Sequence, residues 1–170
     1  MSERQPPIRF LPTTGLKQDL QALHDAAVTH PRGPEGRLLW VALKHLGRIQ
    51  QGAPSTHPLG YMPSYPDLSD CETTYVNTDP NAKPSHRIVW RERAPQRPGE
   101  PVTREIIALG ERANGQAYYM AGQRLGRPVG FTLAELAAQR EPIASPSRPR
   151  RHLIGSFDTP SMNEPDRQFE

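Results

Sequence analysis

The spacing of apolar residues changes after the first third of this chain, and that change limits what the chain can fold into. Up to Gly52, leucine, isoleucine and alanine recur every three or four positions, which is the period of an amphipathic helix. From Cys71 to Leu109 the apolar residues fall in short runs rich in β-branched and aromatic side chains, which favour strands. The pattern therefore predicts helices in the first third of the chain and strands after them.

The N-terminal part of the chain predicts one strand followed by two helices. Residues 8–11 form a short apolar run, and Thr13 or Thr14 can cap the helix that follows. The proline- and glycine-rich segment 30–34 interrupts the helical period, which then resumes and ends near Gly52. Two amphipathic helices joined by so short a link are typical of a helical hairpin.

Three further strands are predicted in the middle of the chain, after a proline-rich loop over residues 53–68. They span residues 71–76, 86–93 and 102–109, and short turns rich in proline separate them. Links of hairpin length join antiparallel neighbours. The predicted fold class is α+β, a small twisted antiparallel sheet flanked by the N-terminal helical hairpin and a C-terminal helix.

The C-terminal part returns to a helical period after Gly110, and Gly126 ends it. Thr132 and Glu135 then have the spacing of a capping box, which predicts a short last helix. The residues beyond it are rich in proline, serine and arginine and lack periodicity. The predicted organisation is a disordered start (1–7), one folded domain (8–127), a short helix (128–140) and a disordered tail (141–170).

Composition narrows the class of protein. The hydrophobic fraction is 35 %, and no apolar run approaches the roughly 18–20 residues that span a bilayer. The first residues lack the apolar core of a signal peptide, so we expect a cytoplasmic protein with no membrane partner. The single cysteine excludes an intrachain disulfide, and the histidines lack metal-ligand spacing, so neither a metal nor another cofactor is predicted.

Three side chains are predicted to lie in the core. Trp40 falls beside the apolar stripe of the second helix, and Trp90 falls on the apolar side of its strand. Cys71 begins a strand without a histidine or aspartate pattern that would make it a nucleophile, so we expect a small buried residue.

Positive charge is concentrated in one stretch of the chain. The formal net charge is +3, yet residues 87–127 alone carry eight arginines against four glutamates. The guanidinium group is planar, permanently charged and suited to phosphate. The stretch therefore indicates either a nucleic-acid-binding surface or a solvated arginine-rich face.

One segment of this stretch points to a site. Gly110 ends an apolar strand, Arg112 follows it, and Tyr118 opens a helix near the strand that bears Arg87 and Arg91. Two or three arginines and a phenol at the rim of a sheet can hold a phosphodiester and stack a base. The alternative is that the arginines are surface residues and Tyr118 anchors the helix to the sheet.

These features resemble the RelE/ParE superfamily of toxins from type II toxin–antitoxin systems, over roughly residues 8–127. The resemblance lies in the order β-α-α-β-β-β-α and in three segments. They are Asp70-Cys71, the run from His86 to Arg91 (His-Arg-Ile-Val-Trp-Arg), and the pattern Gly110-x-Arg112-x5-Tyr118-x2-Ala121-x2-Arg124-Leu125.

The resemblance implies a ribosome-dependent endoribonuclease that cleaves mRNA in the A site without a metal, inhibits translation and is restrained by a cognate antitoxin. The RNA 2′-hydroxyl would attack the adjacent phosphate. By position, the implied catalytic residues are Arg87, Arg112 and Tyr118, with His86 for proton transfer. The residues expected to bind RNA are Arg91, Arg124 and Lys83.

The sequence departs from the pattern where RelE carries two lysines, because Thr73 and Tyr75 occupy those positions. His86 and Glu72 are the candidates to replace them in proton transfer, although a histidine beside a strand arginine is often only a solvated neighbour. The departure favours an alternative, a protein of the same fold that binds and inhibits a host protein such as DNA gyrase, or a phage or plasmid regulator.

Overall fold

The structure is a computed structural model that describes residues 7–140. It contains five strands, four α-helices and a short 3₁₀ turn at Ala113–Gly115. In chain order the elements are β1 (Ile8–Pro12), α1 (Thr14–Val28), α2 (Pro34–Gln50), β2 (His57–Pro58), β3 (Glu72–Val76), β4 (His86–Arg93), β5 (Val102–Glu111), α3 (Gln116–Arg124) and α4 (Leu133–Arg140). The predicted tail over 141–170 lies outside the described residues.

The five strands form one sheet in the order β1-β5-β4-β3-β2. The predicted antiparallel pairing of β3, β4 and β5 is confirmed, but the sheet as a whole is mixed, because β1 runs parallel to β5. No hairpin joins β1 to β5, since the helices and three strands lie between them. A turn therefore does not fix their relative direction.

The strand β2 lies within the loop predicted over residues 53–68 and was not expected from the sequence. His57 pairs with Thr73 and Pro58 with Glu72 at the edge of the sheet. A strand of two residues, one of them a proline, carries no alternation of apolar and polar side chains, so the pattern gave no signal for it. This short strand fixes the start of the 53–68 segment to β3.

The predicted helical hairpin is confirmed and covers one face of the sheet. The Thr13 hydroxyl accepts a hydrogen bond from the Leu16 amide (3.2 Å) and caps α1. The core between hairpin and sheet is formed by Leu16, Leu38, Ala42, Leu46, Ile49, Val76, Ile88, Trp90, Ile106 and Leu109.

Of the two tryptophans, only Trp90 lies in this core. It is 2 % exposed, and its indole N–H donates to the Thr74 hydroxyl (3.0 Å). The prediction for Trp40 is wrong, because that side chain is 64 % exposed. Two positions beyond the buried Leu38, a helical residue points to the opposite side of the helix, away from the sheet.

The second face of the sheet is covered by α3 and by the segment that precedes β3. Its smaller core includes Leu68, Cys71, Val89, Ile107, Ala108, Ala117 and Ala121. The predicted burial of Cys71 is confirmed, at 1 % exposure. The predicted capping box is also confirmed, since Thr132 and Glu135 exchange side-chain and backbone hydrogen bonds at the start of α4.

A bulge in β5 decides which side chains share a face. Val89 pairs with Ala108, whereas the next residue of β4, Trp90, pairs with Ile106, so Ile107 is an extra residue on β5. Ile107 and Ala108 consequently both face α3, although they are consecutive. Beyond the bulge, Gly110 pairs with Arg87.

Among residues 7–140, no helix is both long enough and apolar enough to cross a membrane.

Candidate nucleic-acid interface

Arg87 lies between two tyrosine rings on the face covered by α3. Tyr75 is its partner across the β3–β4 pairing, and the guanidinium carbon lies 5.2 Å from the centre of that ring. Tyr118, from the first turns of α3, lies 4.6 Å from it. Both distances are within the range of a cation–π contact, so the two rings hold the guanidinium at the end of the sheet.

This guanidinium has no polar partner within the described part of the chain. Its Nε is buried and makes no hydrogen bond, and Arg87 forms no ion pair with residues 7–140. A buried donor without a partner is uncommon in folded proteins, and each such group calls for an explanation. Arg87 as a whole is half-buried, and a guanidinium without a carboxylate partner attracts anions.

Arg112 adds a second positive charge, which acts on the phenol of Tyr118. It follows the end of β5, where its backbone N–H donates to the Ser85 carbonyl (2.8 Å) and so holds it next to the start of β4. Its guanidinium likewise forms no ion pair with the residues described. We call Arg87, Arg112, Tyr75 and Tyr118 the Arg87 cluster.

The phenol of Tyr118 keeps its proton at neutral pH. Burial raises its pKa above the ordinary 10.0, and the neighbouring Tyr75 and Tyr65 act in the same direction. The positive charges of Arg87 and Arg112 oppose the shift without cancelling it. Tyr118 is therefore a hydrogen-bond donor that contacts the Arg87 guanidinium and feels the charge of Arg112.

An apolar pocket of about 130 Å³ adjoins the Arg87 cluster. Its lining includes Tyr118, Tyr65, Leu59 and Leu68. The Tyr65 ring packs edge-on against Tyr118, with ring centres 5.8 Å apart. Gly115, in the left-handed region at φ +66°, permits this contact, because a Cβ there would strike the Tyr65 ring.

His57 lies against the rim of the cluster, a position that sequence reasoning did not identify. Its Nε2 is 2.7 Å from the Tyr75 hydroxyl oxygen, and its Nδ1 is 2.8 Å from the Pro58 carbonyl oxygen. The edge strand β2 brings it there, and β2 itself carried no sequence signal.

The structure separates His86 from Arg87, although the two are neighbours in sequence. Successive strand residues point to opposite faces, and His86 lines a groove on the hairpin side with Leu23, Leu109 and Glu111. Burial lowers its pKa below the ordinary 6.5, and the negative charge of Glu111 opposes that shift. Its hydrogen-bond partner is the Ser85 hydroxyl (2.9 Å).

Glu72 is also directed away from Arg87. It pairs with Trp90 across β3 and β4 and accepts a hydrogen bond from the Ser55 hydroxyl (2.5 Å). Thr73, by contrast, shares the face of Arg87 but is fully buried, and its hydroxyl has no partner among the described residues.

The three residues expected to bind RNA lie in different surroundings. Arg91 is bonded to Glu105 (2.6 Å) and lies 3.6 Å from Asp70. Arg124 is bonded to Asp19 through both terminal nitrogens. Lys83 is exposed in the turn between β3 and β4. None of them joins the Arg87 cluster.

Ion pairs account for much of the positive charge seen in the sequence. The Arg104 side chain packs on the Trp90 ring, bonds to Glu92 (3.1 Å) and donates to the Ile49 carbonyl at the end of α2 (2.9 Å). Arg127 forms a two-point pair with Asp70. Five of the eight arginines in the stretch therefore form ion pairs within residues 7–140, and Arg87 and Arg112 are among those that do not.

Within residues 7–140, no group of three or more histidine, cysteine, aspartate or glutamate side chains is placed to hold a metal ion. Comparisons of the chain with protein-family models, with curated proteins and with solved structures found no match.

Proposed function

We propose that this protein is a RelE-like toxin, a ribosome-dependent endoribonuclease that cleaves mRNA without a metal ion and so inhibits translation. Its substrate would be mRNA in the ribosomal A site, and a cognate antitoxin would restrain it. Arg87 and Arg112 bind the phosphodiester and stabilise the charge that builds up as the 2′-hydroxyl attacks. Tyr118 donates a hydrogen bond to the reacting nucleotide.

The observation that carries the proposal is the unpartnered guanidinium of Arg87. Most of the other arginines in its stretch are bonded to a carboxylate, whereas Arg87 is held by two aromatic rings with its Nε buried and unsatisfied. A guanidinium without a carboxylate partner attracts anions, and charge-assisted hydrogen bonds to it are strong. A phosphodiester is one such anion.

The pocket beside the cluster supports RNA rather than a simple anion. Proteins recognise single-stranded RNA largely by stacking unpaired bases on aromatic side chains. Tyr65 and Tyr118 present aromatic surface next to the two guanidinium groups. A phosphate at Arg87 would therefore have a place for an adjoining base within reach.

One observation favours the second candidate, a protein of this type that inhibits a host protein such as DNA gyrase. The buried hydroxyl of Thr73 cannot contact a substrate, so one of the two positions that carry lysine in RelE contributes no group to the site. In that case the cluster would bind a partner without cutting RNA.

The test is to induce the full chain in cells and to map mRNA 5′ ends by primer extension. We expect cuts in phase with codons that disappear with Arg112→Ala and persist with Arg37→Ala, a matched loss of an exposed arginine on α2. Growth arrest with intact mRNA would contradict the proposal and support binding to a host protein.

A further inference from the structure

The face of the sheet that carries Arg87 lacks the two acid–base residues expected from the sequence, since His86 and Glu72 point to the hairpin side. The carboxylates nearest to Arg91, those of Asp70 and Glu105, are already held in ion pairs. Attack by a 2′-hydroxyl needs a group that accepts its proton. Among residues 7–140, His57 places a basic ring nitrogen at the rim of the Arg87 cluster.

The hydrogen bonds of His57 determine which of its ring nitrogens carries the proton and which accepts one. The Pro58 carbonyl oxygen can only accept, so Nδ1 carries the proton and donates to it. In the neutral ring Nε2 is then an acceptor, and the Tyr75 hydroxyl, 2.7 Å away, donates to it. The proton of Tyr75 therefore already points at a base.

We propose that Tyr75 and His57 form the proton-accepting pair of this site, with Tyr75 touching the RNA 2′-hydroxyl and His57 acting through Tyr75. This inference rests on the proposed function. Because the guanidinium carbon of Arg87 lies 5.2 Å from the centre of the Tyr75 ring, a phosphodiester bound by Arg87 adjoins that phenol.

The cleavage reaction needs no reactant besides the RNA, the two side chains and water. The Tyr75 oxygen takes the proton of the 2′-hydroxyl while its own proton passes to Nε2 of His57. The 2′-oxygen forms a bond to phosphorus, and the bond from phosphorus to the 5′-oxygen of the next nucleotide breaks. Water protonates the leaving 5′-oxygen, His57 returns its proton to solvent, and the products are a 2′,3′-cyclic phosphate and a 5′-hydroxyl.

The test measures cleavage and binding separately, using ribosomes carrying a defined mRNA. Cleavage is followed as a single-turnover rate. Affinity is measured with the same mRNA carrying a 2′-O-methyl group at the cleaved nucleotide. We expect Tyr75→Phe to lower the rate by about 100-fold or more, the usual contribution of a general base, with little change in affinity.

Two His57 variants and one control variant distinguish a role of His57 in proton transfer from a purely structural role. His57→Gln can still accept the hydrogen bond of Tyr75 but cannot take its proton, so its rate should fall with that of Tyr75→Phe. Added imidazole should partly restore the cleavage rate of the His57→Ala variant. Tyr119→Phe is the matched control, because it also removes a hydrogen bond between a phenol and the preceding loop (to the Ser64 carbonyl, 2.9 Å) but lies outside the cluster.

If Tyr75→Phe and His57→Gln both cleave at the wild-type rate, the proposed role of the Tyr75–His57 pair is wrong, while the proposed function is unaffected. A parallel loss of affinity in both variants would also overturn the pair, since it would show a structural role. If the wild-type protein itself leaves the mRNA intact, the proposed function fails, and the pair fails with it.

Discussion

The guanidinium of Arg124 lies against the carboxylate of Asp19, with each terminal nitrogen 2.6 Å from one carboxylate oxygen. The pair closes the edge of β5 beyond the point where β1 ends. Arg124 also donates to the Ile107 carbonyl (2.9 Å), and Asp19 also accepts from the Leu109 amide (2.9 Å). Backbone groups at a partly buried edge need such partners.

Replacing Asp19 by alanine should therefore lower the free energy of unfolding by about 2 kcal/mol, because it leaves a guanidinium and a backbone amide without their acceptor. Asp25→Ala removes an exposed carboxylate from the same helix and should change stability far less. Urea unfolding followed by circular dichroism gives both values. Equal values for the two variants would show that the Asp19 pair adds nothing.

The thiol of Cys71 should be inert in the folded protein. Burial raises its pKa to about 12, and the charge of Asp70 together with the hydrogen bond to it acts in the same direction. Because the thiolate is the reactive form, iodoacetamide at pH 8 should leave the native protein unmodified and label it fully in denaturant. Mass spectrometry reads the result, and rapid labelling of the native protein would contradict it.

Stability should fall as the pH is lowered from 7.5 to 5.5. Burial lowers the pKa of His86 and of His45 below the ordinary 6.5, and the charges of Arg48 and Lys44 add to the shift at His45. Below about pH 6.5 the unfolded chain takes up protons that the folded chain does not, so the free energy of unfolding decreases.

The double variant with His45→Gln and His86→Gln tests this origin. Denaturant unfolding at the two pH values should give a smaller difference for the variant than for the wild-type chain. An unchanged difference would assign the pH dependence to other groups.

RNA binding should depend on salt through the Arg87 cluster. If Arg87 and Arg112 each contact one phosphate, then Arg87→Gln or Arg112→Gln should reduce the slope of log K against log salt by about 0.7 for single-stranded RNA. Arg37→Gln, on the far side of the hairpin, should leave the slope unchanged. Fluorescence anisotropy with a short RNA measures it, and three identical slopes would rule out these phosphate contacts.

Local patterns predicted the helices and β3 to β5 because each signal lies within one element. The stripe of α1, the Thr132–Glu135 cap and the turns between strands all act over a few residues. The direction of β1 and the position of β2 depend on contacts between distant segments. They could not be read from spacing.

In the candidate site, too, local sequence patterns identified some residues, whereas others depend on contacts between distant segments. Arg87, Arg112 and Tyr118 follow from motif positions, and the structure places Arg87 against the Tyr118 ring, with the charge of Arg112 acting on the same phenol. The expectation for His86 rested on its position next to Arg87 in the sequence. Successive residues of β4 point to opposite faces of the sheet, so His86 lies on the hairpin side. His57 was missed because a two-residue edge strand carries it to Tyr75.

The extra residue in β5 has a consequence for how this chain tolerates change. With Ile107 inserted opposite Val89, the positions after it are shifted by half a strand period. If the same residues paired with β4 without the bulge, Arg112 would point to the hairpin side and Glu111 would take its place on the face of Arg87. Deleting Ile107 should thus straighten β5 and keep Gly110 opposite Arg87, whereas inserting one amino acid between Ala108 and Gly110 should move Arg112 to the hairpin side and abolish anion affinity.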